Sequence, residues 1–266
     1  DPYAISDDNG GISGLINIVT LLCKTDNIKN IVFCETNGIT LGGVGNGTKF
    51  ENIQVSYGGD DGIEWFGGSV NGKNMVVFAT WDDCFDIDNG FSGKLQFGLA
   101  IRYPSHADQS ESNGLEWDTD GQNDLSRFKT RAVATNFTVI GPAIDGNSYS
   151  GNFKQSIDLR RNISGSIFNS VFVGYPTAFR FNHQSAANNY LGSTPTGVIE
   201  NNIFYARTTA VAIGSNVSTT TVSDITTYLT DNGNTLRLTD ASADYSALGI
   251  NPNLFFNTRL RTEYQK

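Results

Sequence analysis

The amino-acid sequence predicts an all-β solenoid, a parallel β-helix of about seven or eight rungs with inserted loops and short capping segments. Two interleaved repeats and the composition carry that expectation. The first repeat reads Asn, apolar, any residue, apolar. It occurs at Asn30-Ile31-Val32-Phe33, Asn52-Ile53-Gln54-Val55, Asn74-Met75-Val76-Val77, Asn136-Phe137-Thr138-Val139 and Asn202-Ile203-Phe204-Tyr205. Weaker members are Gln96-Phe97-Gly98-Leu99 and Ser170-Val171-Phe172-Val173. The first four members start at 30, 52, 74 and 96, a step of 22 residues, and the later gaps of 40, 34 and 32 are the same period with loops added. The second repeat reads apolar, any residue, apolar: Ile39-Thr40-Leu41, Ile63-Glu64-Trp65, Phe85-Asp86-Ile87, Leu115-Glu116-Trp117, Ile157-Asp158-Leu159, Phe179-Arg180-Phe181 and Val211-Ala212-Ile213. Of 266 residues 29 are Gly and 17 are Phe, with abundant Asn and Thr, which disfavours a helical bundle.

Alternate residues of a strand face opposite ways, so each strand turns its apolar pair into the bore and its middle residue outward. A single rung cannot bury its apolar side, and stacking rungs ~4.8 Å apart makes one continuous core. The column Ile31, Ile53, Met75, Phe97, Phe137, Val171, Ile203 is expected inside. Asn30, Asn52, Asn74, Asn136 and Asn202 are expected to form an amide ladder at a bend. Trp65 and Trp117 fall on inward positions, while Cys84 shares an outward column with Gly62, Gly114 and Ser156.

Stretches near 103–113, 119–131, 141–155 and 183–197 break the period and read as loops able to wall a groove. Ile12, Leu15, Ile16, Val19 and Leu22 follow helical spacing, so residues 12–23 are expected as a capping helix. The division is then 1–27 as an N-terminal cap or the remnant of upstream rungs, 28–240 as the β-helix and 241–266 as a C-terminal cap or tail. The opening on Asp1 suggests a processed or excised piece, on whose N-terminal end further rungs or subunits could stack. Ser223-Asp224 before Ile225, Tyr228 and Leu229, then Asn232-Gly233, marks a short helix, and Thr235–Leu238 one more strand. Leu254, Phe255 and Phe256 are available to plug the C-terminal opening. Cys23, Cys34 and Cys84 are too few for a disulfide framework, though a Cys23–Cys34 bridge fits the spacing.

The charge balance, 18 Lys+Arg against 27 Asp+Glu, argues against nucleic acid or anionic membrane as partner, because either needs a basic stripe to displace counterions. No apolar run approaches the ~20 residues of a membrane-spanning helix. The outward column of the second repeat reads Thr40, Glu64, Asp86, Glu116, Asp158, Arg180, Ala212, and the position two residues later Gly42, Phe66, Asp88, Asp118, Arg160, Asn182, Gly214. Asp86, Asp88, Glu116 and Asp118 therefore form a two-by-two block, with Asp82, Asp83 and Asp120 at its margins and Asp60 and Asp61 one rung earlier.

Two carboxylates ~4.8 Å apart repel by roughly 1 kcal/mol in water and ~3.5 kcal/mol at an effective dielectric of 20. Relief comes from a bound cation, a raised pKa, or Arg160, Arg161 and Arg180. Three readings stay open. Calcium, a hard cation, suits an oxygen-rich set drawn from Glu64, Asp83, Asp86, Asp88, Glu116 and Asp118. Alternatively, Asp86, Glu116 and Asp118 supply an acid/base pair for glycoside cleavage, or act with Arg160 or Arg180 as the base of a uronate lyase. The third reading is a solvated acidic face. Trp81, Phe66, Tyr103, Tyr149 and Tyr190 sit at turns, outward positions or loops, where rings can stack against sugars. His106 and His183 read as ordinary loop residues, and no Ser-His-Asp spacing or phosphate loop is present.

The runs Gly38-Ile39-Thr40-Leu41-Gly42-Gly43-Val44-Gly45-Asn46-Gly47-Thr48, Ile53-Gln54-Val55-Ser56-Tyr57 and Asp60-Asp61-Gly62-Ile63-Glu64-Trp65-Phe66-Gly67-Gly68, with Asp82-Asp83 through Gly93 and Ala107-Asp108-Gln109-Ser110 to Asp120, carry a resemblance. Over residues 36–260 the chain resembles secreted right-handed parallel β-helix proteins of the bacterial cell surface, often lipoproteins or substrates of the type IX secretion route. The resemblance implies a right-handed solenoid and an extracellular or cell-surface location, and transfers no catalytic residues. A more distant likeness to pectate lyases and polygalacturonases rests on fold alone. The expected function is polysaccharide or cell-surface glycan binding along an acidic, loop-walled face, with calcium a candidate cofactor. The alternatives are a polysaccharide lyase or glycoside hydrolase, and a structural or adhesive module.

Overall fold

The computed structural model describes residues 36–143 and 148–238, together with the backbone of 15–18. Apart from strand β1 (Leu15–Ile18), the outer segments lie outside the described residues. So do Asn30, Ile31, the Cys23–Cys34 bridge and the plug at 254–256.

The second repeat forms one parallel sheet. Its strands are β2 (Ile39–Gly42), β4 (Ile63–Phe66), β6 (Phe85–Asp88), β8 (Leu115–Trp117), β11 (Gln155–Leu159) and the later halves of β13 (Val171–His183) and β15 (Ile203–Asn216). Each pairs in register with the next, Ile39↔Ile63, Ile63↔Phe85, Phe85↔Leu115, Leu115↔Ile157, Ile157↔Phe179 and Phe179↔Val211. The first repeat forms the opposing wall. Strands β3 (Lys49–Ser56), β5 (Asn71–Phe78) and β7 (Lys94–Ile101) run unbroken. Beyond them the wall divides into β9 (Val133–Thr135), β12 (Ser166–Phe168) and β14 (Val198–Glu200) on one side of a bend. On the other side lie β10 (Thr138–Ile140), the first halves of β13 and β15, and β16 (Thr235–Leu238). This is the expected parallel β-helix.

The bore is filled as the alternation requires. Leu41, Trp65, Ile87, Trp117, Leu159 and Phe181 are buried in one column, and Ile39, Ile63, Phe85, Leu115, Ile157, Phe179 and Val211 in the next. Each such burial is worth about 1.5–3 kcal/mol. Rings knit successive rungs, as in the Phe172–Phe204 stack at 5.2 Å, and Phe85 meets Phe137 across the bore at 5.1 Å.

The bend is made by residues in the left-handed region: Asn52, Asn74, Phe97, Asn136, Asn169 and Asn201, with φ between 49° and 59°. Asn adopts this conformation at little cost, which explains its recurrence. The side chain of Asn74 donates to Asn52 at 2.9 Å, as the amide ladder requires.

Four assignments shift by one residue. Met75 pairs with Gly98, so Phe97 stands at the bend and points outward, 45% exposed. Val171 and Ile203 also face out, against a second apolar strip of Ile101, Ile140, Val173 and Tyr205. Asn202 lies inside, donating to Asn234 at 2.9 Å while its Oδ1 accepts from the Ser170 amide. A one-residue slip turns every side chain to the opposite face, and loops of unequal length hide such slips in the sequence.

Further corrections concern the ends, one loop and Cys84. Residues 15–18 do not continue a 12–23 helix. They form β1, antiparallel to β2, so the chain itself occupies the β2 edge at which further rungs were expected to stack. The 183–197 segment contains helix α1 (Gln184–Leu191), which buries Ala186, Ala187 and Tyr190 against the solenoid. With only short apolar side chains beside Tyr190 and Leu191, its periodicity is faint in the sequence. Helix α2 (Val222–Asp231) is capped by Thr221, two residues before the expected Ser223. Thr221 and Asp224 form a reciprocal capping box there, and Ile225 and Leu229 seal the last rung. Cys84 is buried inside, because the turn before β6 buries both Cys84 and Phe85 instead of alternating.

Candidate functional site

The outward column is in register as the repeat demands: Thr40↔Glu64, Glu64↔Asp86, Asp86↔Glu116, Glu116↔Asp158 and Asp158↔Arg180. Asp118 follows on the neighbouring strand, its amide donating to the Ile87 carbonyl at 2.8 Å. The two-by-two arrangement of Asp86, Asp88, Glu116 and Asp118 is therefore present on one face.

Its electrostatics divide the column in two. In the later rungs every carboxylate has a guanidinium. Arg160 pairs with Glu116 and lies 3.8 Å from Asp118, and Arg161 pairs with Asp118. Arg180 grips Asp158 bidentately at 2.8 and 2.7 Å, and reaches Glu111 of the 103–113 loop at 3.1 Å. Asn182 adds a bond to Asp158 at 3.1 Å, so this fully buried carboxylate is well satisfied. Asn113 ties the rungs together by donating to Glu116 at 3.1 Å and accepting from the Gln155 amide at 3.0 Å. Burial nevertheless pushes Asp118 up to about 7, against the opposing pull of Arg161.

The earlier rungs lack such partners. Among the described residues no lysine or arginine forms an ion pair with Asp61, Glu64 or Asp86. These three offer carboxylate oxygens within 4.8 Å of one another, and Asp60, Asp61 and Asp82 form a second such group sharing Asp61. Burial is the main cause that holds Asp61 and Asp86 well above the ordinary carboxylate range, with repulsion from their acidic neighbours adding to it. Burial likewise lifts Glu64 to about 7, Asp82 to about 8 and Asp83 to about 7. Asp88 is raised too, again by burial first. Glu64 and Asp86 share a side-chain hydrogen bond, and Asn37 donates to Glu64. Asp61 accepts from the Asp83 amide at 2.9 Å, and Asp83 accepts from the Asn113 amide. The hydrogen bond from the Asn113 amide and then the charge of Arg102, a fully buried cation, pull against the rise at Asp83.

The structure thus groups the residues differently from the sequence reading. Glu64 and Asp86 come together with Asp61, which the repeat placed only at the margin. Glu116 and Asp118 are held by Arg160 and Arg161, and Asp83 and Asp88 flank the Asp61 group. Asn37 and Arg102 carried no sequence signal, because each acts across rungs 20 or more residues apart. Three carboxylates at this spacing suit a hard cation: oxygen ligands at ~2.3–2.6 Å lie up to about 5 Å apart across the ion. Of the ring candidates, Tyr190 is buried against Phe181 and donates to the Gly165 carbonyl, and Tyr149 packs on the core. No helix among the described residues is long and apolar enough to cross a membrane.

Residues 7–246 match a family model described as a pectate-lyase-like β-helix domain. No curated protein and no solved structure matches the chain significantly.

Proposed function

Since the chain belongs to the pectate-lyase-like β-helix family, we propose that it binds an acidic polysaccharide along the carboxylate column, with a divalent cation such as calcium held by Asp61, Glu64 and Asp86. The observation that carries this reading is the cluster of two buried carboxylates and one half-buried one, without a basic partner among the described residues, on the same column whose later rungs are paired with guanidinium groups. Bound there, the cation supplies positive charge to the strip and takes up oxygen ligands beyond those of the three side chains. Without it the strip offers a uronate only protonated or like-charged carboxyls. Arg160, Arg161 and Arg180 hold the adjoining carboxylates in place.

Binding is favoured over cleavage for two reasons. Of the three acids a glycosidase pair would draw on, Asp86, Glu116 and Asp118, the last two are paired with Arg160 and Arg161. Arg160 and Arg180, the bases a lyase would need, are engaged with carboxylates. The reading also has the protein exported to the cell surface or beyond, where such polysaccharides are met.

Titration calorimetry with oligogalacturonate tests it. Saturable binding is expected with calcium present, and loss of binding with chelator or with Asp86→Asn. Binding indifferent to calcium overturns the cation's role, and the appearance of reducing ends or unsaturated products makes the protein an enzyme.

A further inference from the structure

At the turn just before the acidic residues, four aromatic side chains from three successive rungs gather on the surface. Tyr57 follows β3, Trp81 follows β5, and Tyr103 and His106 follow β7. His106 is their centre, with ring centroids 4.8 Å from Tyr103, 5.0 Å from Trp81 and 6.1 Å from Tyr57. All three contacts are edge-on, between 65° and 68°. Tyr57 is 40% exposed and the other three are half-buried, whereas Trp65 and Trp117 are fully buried.

Two observations mark this cluster as built. Tyr57 sits at φ 59°, the left-handed conformation that Ala79 repeats at φ 55° one rung on, so the rung's own turn fixes where the Tyr57 ring stands. Beneath the rings, Arg102 spends its guanidinium on main-chain carbonyls, donating to Trp81 at 3.0 Å, to His106 at 3.4 Å and to Asp82. The Trp81 carbonyl also accepts from the Asp108 amide and the Ser112 hydroxyl, both at 2.9 Å. The rings are therefore held in place before any ligand arrives, which lowers the ordering cost of binding. Beside them, the Ser110 hydroxyl sits between Asp82 and Asp108, so hydrogen-bond acceptors border the aromatic surface.

Apolar ring faces of negative quadrupole, bordered by fixed acceptors, match one ligand chemistry: a pyranose ring. Its C–H face is apolar and weakly positive, and its hydroxyls donate at the rim. We propose that Tyr57, Trp81 and Tyr103, arranged around His106, form a stacking subsite for one sugar ring of the polysaccharide, next to the cation-binding carboxylates, with Asp108 accepting from its hydroxyls. This inference rests on the reading of the column as a cation-dependent glycan site.

The experiment uses fluorescence. Trp81 is the one partly exposed tryptophan of the three, so acrylamide quenching reports on it. Oligogalacturonate with calcium is expected to cut acrylamide quenching about twofold. Tyr57→Ala is expected to weaken oligogalacturonate binding about three- to tenfold, the range of a single aromatic contact, and Tyr57→Phe to restore it. Calorimetric binding that persists with quenching unchanged, and with Tyr57→Ala at wild-type strength, overturns the subsite and leaves the cation-dependent reading intact. Absence of any calcium-dependent oligogalacturonate binding, with Trp81 left unprotected by a neutral cello-oligosaccharide as well, removes that reading and the subsite with it. If a neutral cello-oligosaccharide protects Trp81 without calcium while oligogalacturonate does not bind, the stacking surface stands and the cation's role falls.

Discussion

The rungs of β4 and β6 and those of β8, β11 and β13 carry the same outward column, yet they resolve the same electrostatic problem in opposite ways. In the later rungs, guanidinium groups from the next rung or two fold back over Glu116, Asp118 and Asp158. In the earlier rungs Asp61, Glu64 and Asp86 face one another, and their relief is protonation or a cation. A stacked architecture brings like residues together whatever their charge. The identity of the next residue along the column then decides whether a rung is a structural brace or a binding surface.

The largest test of the braced half is removal of its cation. Arg180→Met leaves Asp158 buried and uncompensated, and is expected to lower unfolding free energy by about 3–5 kcal/mol in urea titration. A loss below 1 kcal/mol would show that the pair does not brace the column. In the unbraced half, calcium at 100 times its Kd should raise stability by about 2.7 kcal/mol, read from the denaturant midpoint, and Asp61→Asn or Asp86→Asn should abolish that gain. The same gain in both variants would place the ion elsewhere.

Protonation predicts a pH dependence of the unusual sign. Carboxyls raised to about 7 at Glu64 and Asp83 and about 8 at Asp82, from ~4 in the unfolded chain, bind protons more tightly when folded. Their contribution is complete below pH ~4 and is lost as pH rises through 7 to 8. With divalent ions removed, stability should therefore fall on the order of 2 kcal/mol across that window. Calcium should flatten the slope, and a stability that rises with pH would contradict the burial of these groups. The smallest effect concerns the bend. Phe97→Asn puts a residue tolerant of φ 58° into the ladder and should stabilise by about 0.5–1 kcal/mol, measured in chemical unfolding.

Much of this was legible in the repeats. The period of 22 residues predicts the solenoid, the buried Trp65 and Trp117, and the single file of Glu64, Asp86, Glu116 and Asp158, because alternation and stacking leave no other arrangement for those apolar pairs. It misplaces Phe97, Val171, Ile203 and Asn202, each by one position, where β7 steps 23 residues from β5 and later rungs carry loops. Helix α1 and strand β1 were hidden because short, weakly patterned segments take their structure from the surface they cover.

For the site, the sequence by itself determined which carboxylates share a column and in what order. Only the tertiary structure decided which of them a guanidinium reaches, that Asp61 joins Glu64 and Asp86, and that Tyr57, Trp81, Tyr103 and His106 meet on one surface. The reason is physical. Order along a column follows from chain period and strand alternation, both local properties. Pairing depends on the turn conformations that aim long side chains across rungs, and those are set by contacts between residues twenty or more positions apart.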